Sequence, residues 1–123
     1  MRTQKVTYFT DKEEAFTNLF VGLGTKRNVA IVLVYLANMQ EATSRDIERS
    51  NDLRQPEVSL AMKYLIHRGW ITVRDDASKS KGRPLKIYAL AKPFAEIIRI
   101  IEEEKKAEAE HKIQLTKKLR DYI

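Results

Sequence analysis

The fold of this chain is decided by residues 53–71, which run Leu53-Arg54-Gln55-Pro56-Glu57-Val58-Ser59-Leu60-Ala61-Met62-Lys63-Tyr64-Leu65-Ile66-His67-Arg68-Gly69-Trp70-Ile71. Pro56 is well tolerated in the first turn of a helix, where its missing amide hydrogen has no helical partner. Gly69 is a favourable left-handed stop. The stretch therefore predicts one helix over about 55–68, followed at once by a strand.

The two sides of this helix differ in character. At about 100° per residue, one side collects apolar residues that we expect to pack, namely Val58, Ala61, Met62, Leu65 and Ile66. The opposite side presents Pro56, Ser59, Leu60, Lys63, Tyr64 and His67. It contains no acidic residue, and it places Leu60 beside Tyr64 where a purely solvated face more often has charge. A solvated face remains the simpler interpretation, and a binding face is the more specific one.

The elements on either side of this helix complete a recognisable order. Upstream, Thr43-Ser44-Arg45-Asp46 fits a capping box, which predicts a short helix that ends at the polar turn Ser50-Asn51-Asp52. Downstream, residues 70–74 alternate with period two and residues 84–90 form a second run of similar length. We expect the two runs to pair as a hairpin. Their connection, 75–83, is polar, long and basic at its far end.

Two further helices are expected before this core. Thr10-Asp11-Lys12-Glu13 fits another capping box. The stripe behind it is either core or a dimer interface, and consists of Phe16, Leu19, Phe20 and Leu23. The next segment, from Thr25 to about Asn38, is apolar on nearly every side and rich in β-branched residues. These residues suit a buried strand equally well, but the length of the segment favours a helix at the centre of the domain.

The last 31 residues, 93–123, predict one long helix, since Gly and Pro do not recur after Pro93. Its first half is amphipathic through Phe94, Ile97, Ile98 and Ile101. A heptad seam would then require Lys105, Glu108 and Lys112, so a continuous coiled coil is not expected. Pairs four residues apart, Glu102 with Lys106 and Glu108 with Lys112, are oriented to stabilise a solvated helix.

Composition limits the class of protein. The 123 residues suit one domain, and the lack of cysteine excludes disulfides and thiolate metal sites. The longest apolar run, 29–37, is about half of what a bilayer crossing needs, and no export signal is visible, so we expect a cytoplasmic protein that does not contact a membrane. The net charge is +6. Residues 43–92 contribute five of these six charges, as a nucleic-acid face would require, although a basic surface also serves solubility.

No catalytic or metal-binding pattern is present in the sequence. The two histidines, His67 and His111, are isolated, and no HExxH or paired-histidine spacing occurs. The four glycines form no phosphate-binding loop, and the serines have no histidine at a motif-like spacing. We therefore expect a protein that is not an enzyme and that uses neither a metal nor another cofactor.

The order of short capped helix, polar turn, Pro-initiated helix and basic hairpin is the plan of a winged helix-turn-helix. Residues 53–65, followed by Arg68-Gly69-Trp70-Ile71, resemble the recognition-helix region of prokaryotic regulators of the MarR, TrmB and ArsR-like kinds, the archaeal members most. The resemblance covers about 25–92 and includes Gly82-Arg83-Pro84, which is similar to the start of the wing return strand. The sequence departs from the family pattern at Glu57, where a small hydroxyl residue is frequent, and at Leu60, where a basic residue is frequent.

The resemblance implies an α+β, mostly α, winged helix-turn-helix with a two-stranded wing and a long C-terminal helix. It implies a transcription regulator that places helix 55–68 in the major groove of double-stranded DNA and wing 75–84 on the minor groove or the phosphates. Gln55, Ser59 and Lys63 are the candidates for base contacts, and Leu60 for a thymine methyl. The full set of expected DNA-binding residues is Arg45, Arg54, Gln55, Ser59, Leu60, Lys63, Tyr64, His67, Lys79, Lys81 and Arg83.

We expect a single domain over 1–123, in which 25–92 form the DNA-binding core and 93–123 a dimerisation helix. The homodimer would form through the residues Phe16, Leu19, Phe20, Phe94, Ile97, Ile98 and Ile101. The alternative is a winged helix that docks a protein through Leu60 and Tyr64 without reading a DNA sequence. RNA binding is a weaker third hypothesis, because Tyr64 is the only evident aromatic platform. A small-molecule effector at the dimer interface is compatible with this plan, but no set of residues predicts one.

Overall fold

The computed structural model describes residues 10–76 and 85–123. Within them the element order is α1 (Asp11–Gly22), α2 (Arg27–Asn38), α3 (Ser44–Asn51), α4 (Gln55–His67), β1 (Ile71–Asp76), β2 (Leu85–Leu90) and α5 (Phe94–Asp121). The expected α+β class, mostly helical with a two-stranded hairpin and a long last helix, is confirmed. The chain divides into two compact units, the first ending at Lys92 and the second comprising Pro93–Ile123.

Two helices of the first unit begin at the capping boxes that the sequence predicts. At α1 the backbone N–H of Glu13 donates to Thr10 Oγ1 at 3.1 Å, and the backbone N–H of Thr10 donates to Glu13 Oε1 at 2.8 Å. At α3 the same exchange joins Thr43 and Asp46, with both distances 3.1 Å. Each box satisfies amide groups that have no partner inside the helix.

The core of the first unit is built on α2. All eight residues from Val29 to Leu36 are buried, and α2 contacts α1, α3, α4 and β2. The helical interpretation of this β-branched segment is therefore confirmed. The helix begins at Arg27, two residues later than expected, because Lys26 is still extended with φ −63° and ψ 142°.

The hairpin pairs β1 and β2 antiparallel, from Ile71 opposite Leu90 to Asp76 opposite Leu85. On its other side, Tyr88 exchanges two backbone hydrogen bonds with Ala42, at 2.8 and 3.0 Å. This exchange ties the segment before α3 to the sheet. The sequence of residues 40–43 does not predict this pairing, because only Ala42 of this segment pairs and one residue shows no strand pattern.

The expectation that Asp75 and Asp76 belong to the connecting loop was wrong. Both residues lie in β1, where Asp75 pairs with Lys86 across the hairpin at 3.2 Å and Asp76 lies 3.7 Å from Arg74. These ion pairs compensate the low strand propensity of aspartate. The rest of the expected wing loop, 77–84, lies outside the described residues.

The second unit is the 28-residue helix α5. The expected pair of Glu102 and Lys106 is present at 3.7 Å, whereas Glu108 pairs with Lys105 at 3.2 Å. From Glu102 onward every side chain except that of Lys105 is exposed. Across residues 10–76 and 85–123, no helix combines the length and the apolar character that crossing a membrane requires.

Candidate nucleic-acid interface

The start of α4 is held by a cap on its first turn. The backbone N–H of Arg54 donates to Glu57 Oε1 at 2.8 Å, and the Arg54 carbonyl accepts from the Val58 amide at 3.1 Å. Pro56 is the second helical residue, where its missing amide hydrogen removes no helical bond. Glu57 therefore closes the N-terminus of the helix rather than pointing freely from the outward side.

The end of α4 is a glycine stop. Gly69 has φ +74°, a conformation in which a side chain would be strained, and its amide donates to the Ile66 carbonyl at 2.9 Å. The next amide, that of Trp70, donates to the Leu65 carbonyl at 3.0 Å. The chain thus turns directly from α4 into β1, and Trp70 is buried under the turn.

The inward side of α4 is narrower than the sequence predicts. Val58, Ala61, Met62 and Leu65 are buried, and α4 contacts α2, α3 and β1. Ile66 was also expected to pack, but it is 42% exposed. At about 100° per residue it lies beyond the buried arc, next to Gln55 and Ser59, where it lines an open depression beside α4.

The outward side of α4 is a ridge of exposed side chains at spacings of four and three. Pro56, Leu60, Lys63 and His67 form the ridge, and all four are exposed. Leu60 is the most exposed apolar residue of the helix at 67%, and Tyr64, at 43%, lies beside it. None of these residues is acidic, so the expected mixed and non-acidic face is present.

The residues expected to contact bases lie together. Gln55, Ser59 and Lys63 line one open depression of about 180 Å³ between the start of α3, α4 and β2. Its remaining wall consists of Ser44, Val58, Met62, Ile66 and Tyr88. The depression therefore presents an amide, hydroxyls and an ammonium group along one edge of the ridge.

The opposite edge of the ridge is organised by Arg68, whose role the sequence analysis did not identify. Its guanidinium carbon lies 4.0 Å from the centroid of the Trp70 ring and 6.0 Å from that of Tyr64. Arg68 Nη1 also donates to Tyr64 Oη at 3.1 Å. The four-residue spacing of Tyr64 and Arg68 was a usable signal, but the contact with Trp70 depends on the reversal at Gly69.

Several exposed cations lie around α3 and α4, and two of the nearby carboxylates are engaged at helix starts. Arg45, Arg54 and Lys63 are exposed. Within residues 10–76 and 85–123 neither Arg45 nor Lys63 has an ion-pair partner, and the contact of Arg54 with Glu57 is long at 3.9 Å. Asp46 and Glu57 instead accept hydrogen bonds at the starts of α3 and α4. Arg54 and Lys63 are therefore available to an anionic partner of α4, while Asp52 at the end of α3 is also exposed.

The remaining predicted site residues are placed as follows. Lys79, Lys81 and Arg83 lie outside the described residues. Of the residues expected at a dimer interface, α1 exposes Phe16 and Leu19 and buries Phe20. In α5, Ile98 is exposed, Phe94 is half-buried, and Ile97 and Ile101 are buried. In the part of the chain that the structure describes, no three His, Cys, Asp or Glu side chains are grouped as a metal site would need.

Known proteins that are similar to this chain in sequence or in structure have the same fold. Residues 23–81 match the model of the MarR family. The chain is similar in structure to NMB1585, a MarR family regulator from Neisseria meningitidis, with 20% identity, a TM-score of 0.53 and coverage of 78% of this chain and 68% of that one. It is also similar to the MarR family transcription regulator SP03579, with 19% identity, a TM-score of 0.52 and coverage of 86% and 78%. No curated protein sequence matches the chain significantly.

The comparisons confirm the winged helix and the MarR part of the expected resemblance. Its archaeal, TrmB-like and ArsR-like parts stay predictions. At these identities the solved structures establish the fold alone. The chain therefore has the fold of a winged helix, and its residues 23–81 are similar in sequence to the MarR family.

Proposed function

We propose that this chain is a sequence-specific, DNA-binding transcription regulator that acts as a homodimer in the cytoplasm. Helix α4 with Arg68, residues 55–68, enters the major groove of double-stranded DNA, and wing 75–84 contacts the minor groove or the phosphates. The fold, which is that of MarR-family transcription regulators, supports the general proposal. The residues of α4 support the more specific proposal that this helix reads a DNA sequence in the major groove.

The observation that carries the proposal is the common placement of Gln55, Ser59 and Lys63 along one edge of the exposed ridge of α4. The major groove admits an α-helix and presents a distinct donor and acceptor pattern for each base pair. Gln can pair with adenine through two hydrogen bonds, Lys donates to the guanine acceptors, and Ser accepts or donates to either. The edge thus offers three groups able to distinguish base pairs.

Phosphate contacts would set the register of α4. Arg45 lies in the first turn of α3, and Arg54 immediately precedes α4 with a side chain that is 86% exposed. Both can neutralise phosphates that flank the base contacts, which supplies affinity without sequence information. Lys79, Lys81 and Arg83 are proposed on sequence alone to do the same from the wing.

Exposed apolar residues support the homodimer. Phe16 and Leu19 on α1 and Leu23 directly after it are 39%, 64% and 43% exposed although they form one stripe. On α5, Ile98, Ile113 and Leu115 are 42%, 49% and 46% exposed. MarR regulators typically act as dimers. Covering these side chains by a second copy would remove the apolar surface from water, and two α4 helices would then contact a pseudo-palindromic site.

The experiment is a selection of duplexes from a random library near physiological salt, followed by measurement of Kd for the selected and random duplexes. We expect a preference of at least about 10³-fold, the lower end for specific regulators. Lys63→Ala should weaken binding of the selected duplex about a hundredfold, because the proposed homodimer loses one base contact, about tenfold, in each half-site. Lys12→Ala, an exposed lysine on α1, is the matched control and should bind as the parent does. Equal affinity for selected and random duplexes contradicts the proposal.

A second candidate function rests on the exposed pair Leu60 and Tyr64, which a protein-docking winged helix would bury against a partner. It predicts no preference for any duplex at physiological salt. It also predicts that Leu60→Asp abolishes binding of an identified protein partner while the fold is kept. The positive surroundings of Leu60 make DNA the better supported occupant.

A further inference from the structure

We propose that Leu60 recognises the C5-methyl group of a thymine in the major groove, so that this regulator prefers thymine, and not merely an A·T-type pair, at one position of each half-site. The inference rests on the proposed DNA-binding function and goes beyond it by assigning one chemical group of the DNA to one side chain.

The position of Leu60 makes it a group that must meet the partner. It occupies the middle of the outward ridge, between Pro56 one turn before it and Lys63 one turn after it, and 67% of it is exposed. The inward residues of the same helix, such as Ala61 and Leu65, are buried. Any duplex that accepts α4 in its major groove therefore brings base edges against Leu60.

The chemistry of the groove then leaves one favourable neighbour for this side chain. The major-groove edges of guanine, cytosine and adenine present hydrogen-bond donors and acceptors, which a leucine would desolvate without replacing their bonds. Thymine adds the one apolar group of these edges, its C5-methyl group. Contact between two apolar groups removes both from water. Leucine at this position consequently selects thymine and disfavours cytosine, which lacks the methyl group.

The surroundings of Leu60 favour DNA over a protein as the occupant. Lys63 next to it has no ion-pair partner within residues 10–76 and 85–123, and the Arg54 side chain is 86% exposed at the start of the same helix. The carboxylate nearest in sequence, that of Glu57, accepts the Arg54 amide at 2.8 Å and so is held at the helix end. Leu60 can contact a thymine methyl group while the cations near it contact the phosphates on either side of the groove.

The test replaces thymine by deoxyuridine, which keeps every hydrogen-bonding group and removes only the methyl group. The probe is the tightest duplex recovered from the random library, with its thymines replaced one at a time. We expect one replacement in each half-site to weaken binding about fourfold, which corresponds to about 0.8 kcal/mol for one buried methyl group. Leu60→Ala removes the contact from both protomers of the proposed dimer, so it should bind the thymine duplex about sixteenfold more weakly than the parent, and it should lose all sensitivity to that replacement.

The matched control is Val21→Ala, which removes an exposed apolar side chain from α1, outside the proposed DNA-binding helix. It should keep the full sensitivity to deoxyuridine. Because Leu60 is exposed, Leu60→Ala should also keep the thermal midpoint of the parent, which excludes unfolding as the cause.

The outcomes separate this inference from the function on which it rests. If no duplex is preferred over random DNA, the proposed function fails. If a duplex is preferred but no thymine replacement changes its Kd, the function stands and the assignment of Leu60 is overturned. Equal sensitivity to deoxyuridine in the parent and in Leu60→Ala would also overturn it, because another side chain would then hold the methyl group.

Discussion

The backbone amide of Arg54 donates a 2.8 Å hydrogen bond to Oε1 of Glu57 and so closes the first turn of the helix that carries the candidate interface. Glu57 stands where the resembling regulators often have a small hydroxyl residue. Its acidic side chain, three residues after the N-cap, satisfies a backbone donor and opposes the positive end of the helix dipole. The capping role of Glu57 accounts for an acidic residue beside the proposed DNA-binding surface.

The first prediction concerns this cap. Glu57→Ala should lower the free energy of unfolding by about 1 kcal/mol, because the Arg54 amide loses its acceptor. Glu57→Gln should lose much less, since an amide oxygen also accepts at this position. The exposed ion pair with Arg54, at 3.9 Å, adds little. Urea unfolding of the three proteins checks this, and an equal loss in both variants would contradict the hydrogen bond as the cause.

A second prediction uses the adjacent residues Leu65 and Ile66 of α4. Leu65 is fully buried, so Leu65→Ala should destabilise the fold by about 2–5 kcal/mol. Ile66 is 42% exposed, so Ile66→Ala should change stability by about 0.5 kcal/mol or less. Denaturant midpoints at equal protein concentration measure both. A comparable loss at Ile66 would show that this side chain is covered in solution.

The third prediction concerns the stack of Arg68 on Trp70. Arg68→Lys keeps the charge but removes the planar group that lies 4.0 Å from the indole and donates to Tyr64. We expect a loss of about 1 kcal/mol in stability. The chain has one tryptophan, so its fluorescence reports this site alone, and the emission of the folded state should change. Unchanged emission would mean that the guanidinium does not contact the ring in solution.

Local chemistry made much of the fold predictable. The boxes at Thr10 and Thr43 give the starts of α1 and α3, and Gly69 gives the end of α4, because each of these signals acts within one turn of the chain. The face of α4 follows from its period, so Leu60 and Lys63 were placed correctly on the exposed side.

The failures share a dependence on distant residues. Ile66 satisfies the helical period but lines an open depression and not the core, a difference that periodicity does not encode. Asp75 was assigned to a turn by its composition, whereas Lys86 across the hairpin holds it in β1. The pairing of Ala42 with Tyr88 joins residues far apart in the chain through backbone groups alone. Such contacts leave no local pattern in a single sequence.

The fourth prediction tests the proposed homodimer on α1. Leu19 is 64% exposed on the apolar stripe, and Val21 is 40% exposed on another side of the same helix. Leu19→Lys should shift the protein toward monomer in light scattering at micromolar concentration, because it places a charge in a covered apolar surface. Val21→Lys should leave the oligomeric state unchanged. A parent protein that is monomeric throughout would remove the basis for this prediction.

The last prediction separates the two kinds of DNA contact that α4 is proposed to make. Arg54 has an exposed side chain outside the helix and is proposed to contact a phosphate, so Arg54→Gln should weaken all duplexes about equally. It should also reduce the slope of log affinity against log salt concentration by about one for each protomer bound. Lys63 is proposed to donate to a base, so Lys63→Ala should instead reduce the preference at one base pair by about 1–3 kcal/mol. Titrations at several salt concentrations, on the selected duplex and on single-base variants of it, measure both quantities. If both variants change only the salt slope, Lys63 is a second phosphate contact, and the base preference must come from other residues of the ridge.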